Sequence, residues 1–214
     1  MARSRLRLSP IEWLALSALV LGLIYGVVTF TSARDQCANP PGSLSIRHDG
    51  GERAVLQGTM AGQATCKLRA LARVNPAVTT LVLVEIPGTV DLLDTQAATR
   101  FVRRQGWNTV VPATGSIASG GVMLFLGGVE RQVSPGGQVG VHAWSQRGQG
   151  RLYSSPDDIP ANAERAYRDI YRDLGIDPAF YDFQVQAAPA EDIHWMSRSE
   201  LQRWGLLTTA GGLL

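Results

Sequence analysis

The sequence predicts an α/β domain built on a mostly parallel sheet. Three observations predict it. Short β-branched, apolar runs alternate along the chain with segments of helical periodicity. Two of those runs, Thr80 to Ile86 (TLVLVEI) and Asn108 to Pro112 (NTVVP), are apolar almost throughout, as parallel strands covered on both faces are. The spacing from run to run leaves room for a helix between strands, which is the arrangement of a βαβ chain.

Each element has its own signal. Leu44 to Ile46 and Ala54 to Gly58 read as strands around an Asp49-Gly50-Gly51 turn. Ala64 to Val74 reads as a helix that stops before Asn75-Pro76. The strand Thr80 to Ile86 ends at Pro87-Gly88. Leu92 to Gln105 is amphipathic and is stopped by Gly106. After Asn108 to Pro112 a Gly/Ser-rich turn, Thr114 to Gly121, leads into an apolar helix over Val122 to Leu126. Arg131 to Val133 and Gln138 to Val141 are strands separated by Pro135-Gly136-Gly137. Pro160 to Leu174 is an amphipathic helix closed by Gly175, and Ser199 to Trp204 is a short one closed by Gly205. The tail, 210–214, is expected to fray.

The first part of the chain is different. Residues 1–10 carry Arg3, Arg5 and Arg7. Trp13 to Phe30 is then uncharged, and as a helix it would reach about 27 Å against a hydrocarbon core of about 30 Å. Residues 11–32 are therefore expected to form a transmembrane anchor, with 33–43 as linker and 44–209 as the folded domain. The arginines keep the N-terminus in the cytoplasm and send the domain across the membrane. Secretion after cleavage is the alternative; the long apolar stretch and the weak Thr31-Ser32-Ala33 cleavage site favour the anchor.

Composition excludes several classes. The apolar fraction is 45% and the charged fraction 18%, so the chain can bury a core. With a net charge of +2 and no basic stripe interleaved with aromatics, nucleic-acid binding has no support. The two cysteines, Cys37 and Cys66, form no metal-ligand spacing, so no metal site is expected. In an oxidising compartment a Cys37–Cys66 disulfide is the natural reading, with two unrelated thiols as the alternative.

Chemistry is expected at the carboxyl ends of the parallel strands. Two strand ends carry turn chemistry: Pro87-Gly88-Thr89, and the stretch from Gly115 to Gly121. A strand, a tight small-residue turn and a helix can present a serine hydroxyl with backbone N–H groups beside it. The same serine could simply cap the helix, and Ser116 and Ser119 both qualify. A serine nucleophile needs a base. Of His48, His142 and His194, only His142 follows an apolar strand that should end at the same edge as Ser119.

At these residues the chain resembles the Clp protease proteolytic subunit and its relatives in the ClpP/crotonase superfamily, and among them bacterial exported, membrane-anchored ClpP-like proteins. The resemblance runs from Thr79 to Thr208. TLVLVEIPGTV is similar to the family strand ending in Ser-Pro-Gly-Gly, with Thr89 in place of the second glycine. GSIASGGVMLFLGG resembles the nucleophile motif and implies Ser119 as nucleophile. ERQVSPGGQVGVHAW resembles the family stretch that ends in the catalytic histidine and implies His142 as base, 23 residues after Ser119. EDIHWMSRSELQRWGLLT resembles the stretch that carries the family's aspartate. Counted back from Gly205, the aspartate's place falls on Ile193, and Asp192 is the nearest carboxylate, so Asp192 is the candidate third member, with a Ser-His dyad as the alternative.

The resemblance implies a ClpP/crotonase-like fold of ββα units and acyl transfer, with N–H groups at Gly88, Thr89 and Gly120 as oxyanion donors. It implies a peptide or protein substrate, a homo-oligomer and no cofactor. No P-loop is present and a cytosolic unfoldase could not reach an exported domain, so no ATPase partner is expected. The resemblance also places the chain in a bacterial inner membrane with a periplasmic domain. The rival readings are a non-catalytic module on the same fold and a crotonase-type enzyme acting on an acyl thioester; the Ser/His pair argues against the latter.

Overall fold

The computed structural model describes residue 37, residues 43–143 and residues 161–208. The chain divides into two compact units, Met1–Ala38 and Asn39–Leu214. The expected anchor, 11–32, and the tail, 210–214, lie outside the described residues. Among the described residues no helix is long and apolar enough to cross a membrane.

The second unit is a mixed α/β domain. In chain order its elements are β1 (Ser45–His48), β2 (Arg53–Gln57), α1 (Ala64–Val74), β3 (Thr80–Ile86), α2 (Leu92–Gln105), β4 (Asn108–Val111), β5 (Ser116–Ala118), α3 (Gly120–Leu126), β6 (Arg131–Val133), β7 (Gln138–Val141), α4 (Ala161–Asp173), α5 (Phe180–Ala187), β8 (His194–Trp195) and α6 (Arg198–Arg203). Eight described strands join in one sheet, with the order β1-β2-β3-β5-β7-β8 along its main path. The pairs at the two ends of that path, β1–β2 and β7–β8, are antiparallel; the others are parallel.

The sheet forks at β3. Its first half pairs with β4, through Thr80↔Asn108 to Val82↔Val110. Its far end pairs with β5, at Glu85↔Ser116 and Ile86↔Ile117. The fork follows from Pro112, which has no N–H to continue the β4 ladder. The chain turns there, with the Gly115 N–H donating to the Pro112 carbonyl at 2.8 Å. A second turn lies alongside, Gly137 N–H to Ser134 O at 2.9 Å. Side chains cannot enter this junction: a Cβ at Gly137 would lie 2.8 Å from the Pro112 carbonyl oxygen. The two turns carry the chain from the β4/β6 branch to the β5/β7 branch, where the strand ends of chemical interest lie.

The core follows the pattern of the strands. Leu81, Leu83 and Ile86 on β3, Ile117 on β5 and Val139 on β7 are buried, with the whole of α3 from Val122 to Leu126 packed among them. A second apolar mass gathers on α4 to α6. Phe180 stacks against Phe183 with ring centroids 6.1 Å apart, and Trp204 lies 5.2 Å from Phe183. Arg131 is buried beneath it. Its guanidinium donates to the carbonyls of Gly128, Gly205 and Leu206, which ties β6 to the end of α6. Burial pushes Arg131 down to about 10, which leaves it cationic at neutral pH and dependent on those three acceptors.

Candidate active site

The candidate nucleophile sits where β5 turns into α3. Ser119 has φ 53° and ψ −119°, and it is the sole non-glycine residue at positive φ among the described residues. Such a backbone costs about 1–3 kcal/mol and persists only when its surroundings enforce it. Three contacts do so. The Ser119 N–H donates to the Gly140 carbonyl at 3.1 Å, and the Ser119 carbonyl accepts from the Val122 and Met123 N–H groups. Gly121 follows because any side chain there would run into the Ile86 carbonyl. The result is a strand-to-helix elbow that lifts the serine side chain out of the strand. Ser119 occupies the N-cap position, yet its hydroxyl makes no capping bond. The helix-cap alternative therefore does not account for this hydroxyl.

Gly88, Thr89 and Gly120 pack beside it. Gly88 is buried against Ser119: a Cβ on Gly88 would stand 3.5 Å from Ser119 Cβ and 3.7 Å from its Oγ. Gly120 faces Thr89, whose nitrogen would lie 3.0 Å from a Cβ placed on Gly120. Among the described residues the N–H groups of Gly88, Thr89 and Gly120 have no acceptor. Uncommitted N–H groups on residues packed beside a serine are the raw material of an oxyanion site.

The candidate base is one strand away. β5 and β7 run parallel with Ala118 opposite Gly140, so Ser119 and His142 leave the sheet at neighbouring ends. The His142 ring lies partly exposed, with Nδ1 at 2.5 Å from the Ala143 carbonyl oxygen. A carbonyl can only accept, so Nδ1 carries the proton and Nε2 of the neutral ring keeps its lone pair. The Ala143 N–H, in the preceding peptide unit, donates to the Ala188 carbonyl at 2.8 Å. Among the described residues Ser119 Oγ and His142 Nε2 share no hydrogen bond. The structure brings the two residues to adjacent strand ends and leaves their contact open, a common state of catalytic pairs without substrate.

Among the described residues Asp192 makes no bond to His142. It is exposed, and its carboxylate accepts from the N–H of its own neighbour Ile193 at 2.7 Å. The β7–β8 register explains this. Gly140 pairs with Trp195 and Val141 with His194, and that register, continued by one residue, would set Ile193 rather than Asp192 across from His142. Ile193 and Trp195 also line the space in front of Gly140, where any side chain would meet them. The partner of the imidazole among the described residues is the Ala143 backbone carbonyl.

The other histidines have local partners. His48 Nε2 lies 2.7 Å from the Gly51 carbonyl oxygen in the first turn. His194 Nε2 lies 2.9 Å from Glu200, and its ring meets Phe183 edge-on. Cys37 and Cys66 are both disulfide-bonded, and neither is a free thiol. Sequence reasoning passed over three groups that shape the site: the Ala143 carbonyl, the Met60 backbone and the Thr95 hydroxyl. The first two are main-chain atoms and leave no trace in residue type. Thr95 had a signal, a polar residue on the buried stripe of an amphipathic helix.

No protein-family profile and no curated protein matches the chain. Solved structures are similar to it. A mutant of the 1510-N membrane-bound stomatin-specific protease has a TM-score of 0.48 at 12% identity, covering 71% of this chain and 75% of that one. A second mutant of that protease, in complex with a substrate peptide, has a TM-score of 0.46 at 11% identity, covering 70% and 71%. An enoyl-CoA hydratase/isomerase family member has a TM-score of 0.49 at 12% identity, covering 78% and 69%.

Proposed function

We propose that the chain is a membrane-anchored serine hydrolase of the ClpP type, an ATP-independent peptidase acting through Ser119 and His142. The observation that carries this reading is the Ser119 elbow: a strained backbone that presents a hydroxyl beside N–H groups, none of which has a partner among the described residues.

The chemistry follows from the atoms. The substrate carbonyl lodges between Ser119 and the N–H groups of Gly88 or Thr89 and Gly120. His142 Nε2 removes the Ser119 proton as Oγ attacks, and the N–H groups receive the negative oxygen. The imidazolium then protonates the leaving amine. Water, deprotonated by the same nitrogen, releases the acyl group and restores the serine. No carboxylate takes part; the Ala143 carbonyl orients the ring throughout. Substrates are peptides or proteins, the anchor is residues 11–32, the domain lies outside the cytoplasm and the working form is a homo-oligomer. No ATPase partner and no cofactor enter this scheme.

Fluorophosphonate labelling of the purified protein tests it. The wild type is expected to label at a single serine. Ser119→Ala should abolish labelling, and His142→Ala should slow it by about 10²–10⁴-fold, the range of a general base. A folded wild type that stays unlabelled would favour the second reading, a binding or assembly module. The register that would set Ile193 across from His142 and the open Ser119–His142 contact are the observations on that side.

A further inference from the structure

We infer that Thr89 is a positioning residue, whose hydroxyl holds the Gly88–Thr89 backbone in place as one wall of the oxyanion site. The inference rests on the hydrolase reading above and adds to it a role for a side chain rather than for an N–H.

The Thr89 hydroxyl is the hub of a closed network. Its Oγ1 lies 2.8 Å from the Met60 carbonyl oxygen and 2.9 Å from the Asp91 carbonyl oxygen. It accepts from the Asp91 N–H at 2.9 Å and lies 2.8 Å from the Thr95 hydroxyl, which is also 2.8 Å from the Asp91 carbonyl oxygen. A hydroxyl has one proton to give and two lone pairs to offer. Donation to Met60 with acceptance from the Asp91 N–H uses two of the three, and the last faces Thr95, whose one proton goes to Thr89 or to the Asp91 carbonyl. Thr95 is fully buried on α2, so the network is anchored in the core.

Met60 completes the clamp. Its N–H donates to the Gly88 carbonyl at 3.0 Å, and its carbonyl accepts from the Val90 N–H at 3.0 Å. Main-chain bonds thus fix the residues on either side of Thr89. The Thr89 side chain fixes the residue between them to the same Met60 carbonyl. Thr89 is also packed against Gly120: a Cβ on Gly120 would lie 2.6 Å from Thr89 Cγ2. The side chain therefore sets both the height of the loop and its distance from the residue after the nucleophile. Without the hydroxyl, the loop keeps its two main-chain bonds and loses the pin between them.

The test is the rate of fluorophosphonate labelling of the full chain, with the melting temperature measured alongside. Thr89→Val keeps the shape and removes the hydroxyl. Its labelling is expected to slow by at least about tenfold, where outright removal of an oxyanion donor costs about 10²–10³. Thr89→Ser keeps the hydroxyl and should stay within about threefold of the wild type. Should Thr89→Val not fold, the pair Thr89→Ser and Thr89→Ala isolates the hydroxyl, since both lack the Cγ2 methyl. The pH profile of labelling should keep its midpoint in every variant, because His142 is untouched. Equal rates for the Ser, Ala and Val variants in a labelled, folded series would overturn this inference and leave the hydrolase reading standing. An unlabelled wild type would remove both.

Discussion

Gly120 has no room for a side chain. A Cβ there would stand 2.6 Å from Thr89 Cγ2 and 2.7 Å from Thr89 Cβ, far inside contact distance. Gly120→Ala must therefore push the Thr89 loop and the α3 start apart. A displacement near 1 Å at a reacting centre costs about 10²-fold in rate, and overpacking of this kind costs about 1–3 kcal/mol of stability. Labelling kinetics and urea denaturation on the same variant read the two effects separately. Asp192 supports the opposite expectation. Its carboxylate is exposed and bonded to its own neighbour, so Asp192→Asn should label within about twofold of the wild type, as surface changes away from a network do. A drop of 10²-fold or more would mean that Asp192 swings onto His142 during the reaction, and the carbonyl-oriented dyad would be wrong.

At the scale of elements, helix ends carry the sharpest expectations. α1 begins without a cap of its own: Gln63 makes no side-chain bond there. Asp94 on α2 supplies it instead, accepting from Ala64 N–H at 2.7 Å and Thr65 N–H at 3.3 Å. Asp94→Ala should cost about 0.5–2 kcal/mol in denaturant unfolding, the range for a lost cap. α6 opens on a capping box in which Ser197 and Glu200 serve each other. The Ser197 hydroxyl, then the Ser197 N–H and His194, hold the Glu200 carboxyl below its ordinary value near 4.5. A carboxyl lowered by folding stabilises the fold above its unfolded value and loses that contribution as pH falls through its folded value. Glu200→Gln should therefore flatten the loss of stability below about pH 4.5, as read from melting temperature against pH. These caps also show what was legible. Helices over 64–74 and 92–105 and strands over 80–86, 131–133 and 138–141 were readable because periodicity and Gly/Pro stops agree there. β5 was read as part of a turn, since its three residues Ser116 to Ala118 are too few to show alternation and pair only through partners distant in sequence. α5 has no clear signal in the sequence, because its apolar residues Phe180, Tyr181, Phe183 and Val185 serve an aromatic cluster and give no clear helical stripe. β8 has two residues and exists only through its ladder with β7. The position of His142 at a strand end could be read; the register that would set Ile193 opposite it needed that ladder.

For the whole molecule, the proposal joins a basic tip, an apolar stretch and a folded domain into one topology. Arg3, Arg5 and Arg7 precede the stretch 11–32, and a positive flank is retained on the cytoplasmic side. On the proposed topology the domain would lie in the compartment where disulfides persist; Cys37 and Cys66 are disulfide-bonded. The topology makes a linked pair of expectations in a bacterial host. The full chain should sediment with membranes, resist carbonate extraction and be digested by protease added to spheroplasts. Its two cysteines should accept an alkylating reagent under denaturing conditions only after reduction, and Cys37 and Cys66 should appear as one cross-linked peptide pair. A chain lacking residues 1–32 and retained in the cytoplasm should carry both thiols reduced and lose about 2–4 kcal/mol, the usual worth of a disulfide. The two halves fail differently. A chain that reaches the far side of the membrane but is released from it would replace the anchor with a cleaved signal. A chain protected from external protease, with alkylatable thiols, would reverse the topology, open the site to cytoplasmic partners and remove the ground for expecting ATP-independent action.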